Sequence, residues 1–283
     1  MKIQKIQAKN ILTKSPVHGD YTANPYGGCE HKCMYCYARY LKDWTGHEDE
    51  QWGEYVDVKY WEPLTDKQKS KLKGKSVFIS SATDPYQPLE LTYERTRELL
   101  KELVGVGMDV TIVTKSSMAV RDLDLFKKLD ATVAFSINTL DEGFRLDMDN
   151  SFYIVQKIEA MKYLHEKGVH TVCFISPIFP GITNVPEIIE AVTGKCDAVW
   201  IEHLVLNGDY KGPVLYYVKT RYPGYYQYYD EIFNKGNLDL WWQFDDYMES
   251  WCNKNGYEYK YGRFPKEHRD IPTISNFRGH KGK

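Results

Sequence analysis

Gly28-Cys29-Glu30-His31-Lys32-Cys33-Met34-Tyr35-Cys36 sets three thiols in the spacing Cys-x3-Cys-x2-Cys. Thiolates are soft ligands that select iron–sulfur clusters and zinc. A cubane cluster normally takes four cysteines, so three leave one iron without a protein ligand, much as a catalytic zinc keeps one position open. A structural zinc site of Cys29, His31, Cys33 and Cys36 competes for the same residues. His31 lies between two of those ligands, however, and the second, separated ligand pair that structural zinc favours is missing. Cys173, Cys196 and Cys252 stand alone in the sequence, and an intracellular chain keeps such thiols reduced.

Outward from this loop, short β-rich runs alternate with helical stretches. The runs are residues 21–23, 77–81, 110–114, 132–138, 169–176 and 198–204. Between them, residues 121–129 carry Leu123, Phe126 and Leu129 on one stripe, and residues 151–167 stop at Gly168. Strand–helix repetition at this spacing predicts parallel strands with right-handed crossovers. The expectation is an α/β chain with six strand–helix units, a count that matches a partial (βα)6 barrel of the TIM type, in which chemistry sits at the C-terminal strand ends. Residues 1–210 would form this core, with the cysteine loop at 24–40. Residues 211–283 would add a helical extension, including a helix over 237–255, and a basic tail, all packed as one domain.

Alternation assigns faces. In 132–138, Val133, Phe135 and Ile137 should meet the outer helices, leaving Ala134, Ser136 and Asn138 toward a ligand-sized interior. The same rule pairs Ser176 with Phe174 on the inner face and turns Cys173 outward. It also sets Trp200 and Glu202 inside, opposite Val199, Ile201 and His203.

The chain has 283 residues, a formal net charge of −2 and 23 tyrosines. That charge gives no global pull toward nucleic acid or anionic membrane. The basic start, residues 1–7, lacks the apolar run of a signal peptide, and no segment has the length of a transmembrane helix. A soluble, cytoplasmic protein is expected, in a reducing compartment that suits an oxygen-labile cluster. Residues 42–75 read as a charged surface excursion. The tail, 254–283, holds eight Lys/Arg against three acidic residues, interleaved with Tyr257, Tyr259, Tyr261 and Phe264. Tyr216, Tyr217, Tyr222, Tyr225, Tyr226, Tyr228 and Tyr229 can stack bases or fill helix–helix seams.

The cysteine loop extends into Asn24-Pro25-Tyr26-Gly27-Gly28-Cys29-x-His31-x-Cys33-x-Tyr35-Cys36-Tyr37-Ala38-Arg39. Downstream come Thr83-Asp84-Pro85-Tyr86-Gln87-Pro88-x-Glu90, then Thr114-Lys115-Ser116 with Arg121-Asp122, then Ser176-Pro177-Ile178-x-Pro180-Gly181-Ile182-Thr183. In this order, over roughly residues 20 to 210, the blocks resemble the spore photoproduct lyase-like branch of the radical S-adenosylmethionine (SAM) superfamily. The resemblance implies a [4Fe–4S] cluster on Cys29, Cys33 and Cys36, with SAM on its open iron. It further implies reductive cleavage to methionine and a 5′-deoxyadenosyl radical, an electron donor of flavodoxin or ferredoxin type, and a substrate it does not name.

By the same resemblance Tyr35 lies against adenine, and Thr83 and Asp84 reach the cofactor's methionine groups. Lys115 pairs with its carboxylate, while Ser136 and Asn138, interior by alternation as well, contact the ribose. Arg121 and Glu202 fit either a pocket or a structural ion pair. One departure matters. Spore photoproduct lyase has a hydrogen-donating cysteine near the end of its second strand, whereas this chain has Ser80-Ser81-Ala82-Thr83-Asp84 there and no cysteine between Cys36 and Cys173. The favoured expectation is therefore a radical enzyme with an unassigned substrate. A nucleic-acid repair or base-modifying enzyme and a non-catalytic iron–sulfur regulator are the alternatives.

Overall fold

A computed structural model describes residues 1–15, 19–260 and 273–275. Its strands are β1 (Lys2–Gln7), β2 (Leu12–Lys14), β3 (Tyr21–Ala23), β4 (Tyr26–Gly27), β5 (Tyr55–Tyr60), β6 (Ser76–Ile79), β7 (Asp109–Thr114), β8 (Thr132–Ser136), β9 (His170–Ile178), β10 (Ala198–His203), β11 (Glu258–Lys260) and β12 (Thr273–Ser275). Nine of them form one sheet in the order β2-β3-β6-β7-β8-β9-β10-β12-β11. From β3 to β10 every neighbouring pair is parallel, which gives the six expected strands. Antiparallel partners flank them, β2 on β3 and β12 on β10, so the sheet ends in edges instead of closing. Helices Arg95–Leu103, Leu123–Leu129, Ile154–Glu166 and Val185–Val192 are the crossovers.

The two faces divide as alternation requires. Val133, Phe135, Ile137, Cys173, Ile175, Val199 and Ile201 join the main core with helix residues such as Leu99, Phe126, Met161 and Ile189. Burying each large side chain there contributes about 1.5–3 kcal/mol. The inner face carries a separate cluster of Ala134, Val172, Phe174 and Ala198, with Val113 and Trp200 against it. Phe174 and Trp200 meet edge to face at 6.1 Å and fill the interior. Two residues further along the same strands, Ser176 and Glu202 make the interior polar.

Several expectations need correction. Residues 42–75 are not only a surface excursion, because β5 lies within them with Tyr55, Val56, Asp57 and Val58 buried. β5 pairs in parallel with β1 and antiparallel with β4 in a three-stranded sheet. Asp57 hides this strand in the sequence, and it tolerates burial because the His47 ring faces both carboxylate oxygens at 3.1 Å. The helix expected from residue 151 begins at Ile154, after a separate helix Glu142–Met148. The stretch from residue 121 is still 3-10 helix up to Asp122. The last long helix is Asp239–Lys254, and the tail returns to the sheet as β12. Tyr261, Arg263, Phe264, Lys266 and Arg269 of the basic tail lie outside the described residues. Among the described residues no helix is long and apolar enough to cross a membrane.

Candidate active site

The cysteine loop leaves the C-terminal end of β3 through β4 and is fixed on both flanks. Gly28 has φ +78°, and a Cβ there would come within 2.3 Å of the Tyr55 carbonyl oxygen, so the turn into Cys29 needs glycine. The buried Gln87 amide clasps the peptides on either side of Cys29. Its Oε1 accepts from Glu30 N–H at 3.0 Å and its Nε2 donates to Gly28 O at 3.3 Å. Leu89 N–H donates to the Glu30 carboxylate at 2.7 Å. On the far flank, Met34 N–H donates to Met148 O at 2.8 Å and Asn150 N–H to His31 O at 2.7 Å.

Cys29 and Cys33 are buried and Cys36 is half-buried. Burial pushes all three thiols up, Cys36 to about 11, and nearby negative charge, from Asp84 at Cys29 and from Asp149 at Cys33, adds to it at those two. The thiols also raise one another, Cys29 through Cys36 and Cys33 through both, which puts them in one electrostatic neighbourhood. Among the described residues no three His, Cys, Asp or Glu side chains close into a ready-made ion site. The other three cysteines are buried elsewhere in the core. A donor set of three soft thiols on one braced loop fits a cluster that keeps an open iron.

The end of β6 fits a bound polar group. Ser80 sits at φ +68°, a costly conformation for a non-glycine residue that clusters at functional sites. The hydroxyls of Ser80 and Thr83 are both buried without a hydrogen-bond partner, each a donor and acceptor that a bound polar group could satisfy. Asp84 is different, because protein groups already fill its carboxylate. It accepts from Tyr86 N–H at 2.8 Å, the Thr114 hydroxyl at 2.7 Å and Lys115 N–H at 2.6 Å, and His31 Nε2 lies at 3.1 Å. Burial opposes its charge, but His31 and these donors hold its pKa below the usual carboxylate value. Asp84 thus ties the cysteine loop to β7.

Lys115 Nζ donates to the Tyr35 hydroxyl at 2.7 Å and lies 3.5 Å from Asp149 Oδ2. Tyr35 OH in turn donates to Asp149 at 3.0 Å, and its ring meets Phe179 edge to face at 5.4 Å. Burial works against charge on Lys115, yet Asp149, then Cys33 and Asp84, outweigh it and raise its pKa. Ser136 Oγ donates to Ser176 O at 3.0 Å and Asn138 Nδ2 to Pro177 O at 3.3 Å. Ser176 Oγ reaches Glu202 at 2.5 Å. Glu202 is open to solvent at the mouth but walled by protein, and that enclosure raises its carboxyl pKa against the Ser176 hydrogen bond. Arg121 is a structural residue here, paired with the buried Glu90 at 2.5 Å and Asp122 at 3.0 Å.

The sequence assigns no role to Asp149 or Gln87, and of the two roles open to Arg121 the structure has the ion pair, with Glu90 and Asp122 as partners the sequence did not name. Gln87 and Glu90 stood in a recognised block, so their presence was visible though not their partners. Asp149 follows a helix far along the chain and carries no local signal. Of the tyrosine cluster, Tyr229 is buried, and Tyr217 and Tyr222 pack on Phe144 with centroids near 6 Å. Tyr216 is exposed, and Tyr225 stacks on Tyr228.

Residues 23–192 match the family model of the Radical SAM superfamily. An uncharacterized protein of Methanocaldococcus jannaschii is 34% identical over 248 residues, covering 83% of this chain and 93% of that protein. A radical SAM Nalpha-GlyT isomerase of Pseudomonas phage M6 is 25% identical over 167 residues, covering 58% of this chain and 34% of that protein. The fold resembles spore photoproduct lyase complexed with dinucleoside spore photoproduct, at a TM-score of 0.57 and 14% identity over 96% of this chain and 73% of that one. With its braced three-cysteine loop at the head of a parallel α/β sheet, the chain belongs to the radical SAM superfamily and is a radical SAM enzyme.

Proposed function

We propose that Cys29, Cys33 and Cys36 hold a [4Fe–4S] cluster whose open iron takes SAM, and that the enzyme removes a hydrogen atom from a substrate in the sheet's polar interior. Once bound, and with an electron from a flavodoxin- or ferredoxin-like donor, the cluster and SAM would supply reductive cleavage to methionine and a 5′-deoxyadenosyl radical. The chain's own part is to bind, orient and exclude water. The three thiols, protonated while free, give up their protons as they become ligands. Ser80 and Thr83 offer unpartnered hydroxyls beside the loop. Lys115 keeps a positive charge there, with Ser136 at the end of β8 and Asn138 just beyond it. Phe174 and Trp200 close the interior below, and Ser176 and Glu202 line it above.

The observation that carries this reading is the pairing of three mutually interacting thiols, without a fourth, with buried hydroxyls that lack partners. Anaerobically reconstituted, reduced protein should convert SAM to 5′-deoxyadenosine even without substrate, and Cys33→Ala should abolish it. An iron-loaded wild type that leaves SAM intact would favour a non-catalytic iron–sulfur protein.

A nucleic-acid substrate is the second reading, favoured by the dinucleoside spore photoproduct held in the lyase of similar fold and by the exposed Tyr216, Tyr225 and Tyr228. The lyase reaction itself does not fit, because the end of β6 carries serines, alanine and threonine where a hydrogen-donating thiol would be needed.

A further inference from the structure

Residues 47–55 wrap the cysteine loop on its Cys29 side. A Cβ on Gly53 would come within 2.6 Å of the Lys32 Cβ, Glu54 pairs with Lys32 at 3.0 Å, and Tyr55 closes on Gly28. Trp52 belongs to this wrap. It is 4% exposed and packs in one cluster with Cys29, Ala38 and Tyr55, with Cys36 at its edge. Its indole nitrogen is fully buried and has no hydrogen-bond partner. Indole N–H is a donor only, and a buried donor without an acceptor is expensive and rare. The described residues offer it no acceptor, but the sulfides of a bound cluster would.

We infer that the Trp52 indole N–H donates a hydrogen bond to sulfur on the Cys29 side of the cluster and so raises its reduction potential. This rests on the cluster proposed above. Reduction adds one electron, delivered by the external donor, to a centre already rich in negative charge. A donor aimed at sulfur stabilises the reduced state more than the oxidised one, and hydrogen bonds to cluster sulfurs are an established control of potential. The neighbouring wall, Tyr55 with the His47 ring stacked on it at 3.9 Å, is itself buried.

The test uses the full chain as wild type, Trp52→Phe and Trp52→His, reading iron content, a redox titration of the reconstituted cluster and melting of the iron-free protein. Trp52→Phe should hold wild-type iron at a more negative midpoint potential. Its iron-free form should melt no lower than wild type, since an unsatisfied donor has gone. Trp52→His, which keeps a ring N–H, should recover part of the potential. Loss of iron from Trp52→Phe but not from Trp52→His also supports the hydrogen bond. An unchanged potential in Trp52→Phe, or equal loss of iron and stability in both variants, overturns the inference and leaves Trp52 as packing. A wild type that takes up no iron fails differently, by removing the cluster itself.

Discussion

Around the cysteine loop, single side chains carry charge that the core must tolerate. Lys157 is 1% exposed and its nearest hydrogen-bonding atom, Ser151 Oγ, is 3.5 Å away. Burial, then Lys115, lowers its pKa to about 8 against the pull of Asp149. Between about pH 8 and the ordinary lysine range the unfolded chain therefore binds more proton than the folded one, so this group makes stability rise with pH there. Below about pH 8 the penalty is constant. Lys157→Met should be more stable than wild type by about 1–3 kcal/mol at pH 7, and that gap should shrink as pH rises above 8. Melting curves of both proteins across that range check it, and a variant that melts lower at pH 7 contradicts it. Lys115 has a different test. If its ammonium serves the cofactor carboxylate as well as Asp149, Lys115→Ala should weaken SAM binding by about 1.5–3 kcal/mol, as for a hydrogen bond to a charged group. Wild-type affinity in that variant would leave Lys115 as a partner of Tyr35 and Asp149 alone.

Among the elements, the six parallel strands were legible because a buried strand shows as an apolar run and an inner face as alternation. Ala134, Phe174 and Trp200 fell on the side that parity assigned, as did Cys173 on the other. β5 was not legible, because Asp57 breaks its apolar run and its partner His47 lies ten residues away. β12 was not either, since it pairs with β10 across the chain. The candidate site was legible as motifs and not as bonds. Asp84 and Thr83 are neighbours in one motif, yet one is saturated by protein and the other has no partner. Asp149, which binds Tyr35 from 114 positions away, could not be foreseen. The loop's bracing has its own consequence. Gln87→Leu removes both contacts flanking Cys29 and leaves Gly28 O and Glu30 N–H unsatisfied, so the iron-free protein should lose about 1–3 kcal/mol. Iron uptake should also slow. Thermal melts and the rate at which the cluster absorbance appears would show it, and wild-type values in both would mean the loop is held without Gln87.

For the whole molecule, the substrate is the open quantity. Phosphate-driven binding weakens steeply as salt rises, whereas a small neutral substrate does not respond that way. The near-neutral chain should show little salt-sensitive affinity for labelled single- or double-stranded oligonucleotides at two salt concentrations. Tight binding that falls with salt, and that Arg263, Lys266 and Arg269 replacement weakens, would instead establish a nucleic-acid substrate through the tail. Either outcome leaves the chemistry of the loop intact, and that chemistry has its own direct measurement. Electron paramagnetic resonance of the reduced, reconstituted protein with and without SAM reports whether one iron is open. Three cysteine ligands and one open iron predict about four iron per chain, a spectrum that changes when SAM is added, and loss of the signal in Cys29→Ala, Cys33→Ala and Cys36→Ala but not in Cys173→Ala, Cys196→Ala or Cys252→Ala. Full iron loading with a spectrum indifferent to SAM, or loss of the cluster in a folded Cys252→Ala, would mean a fourth protein ligand and would contradict that prediction.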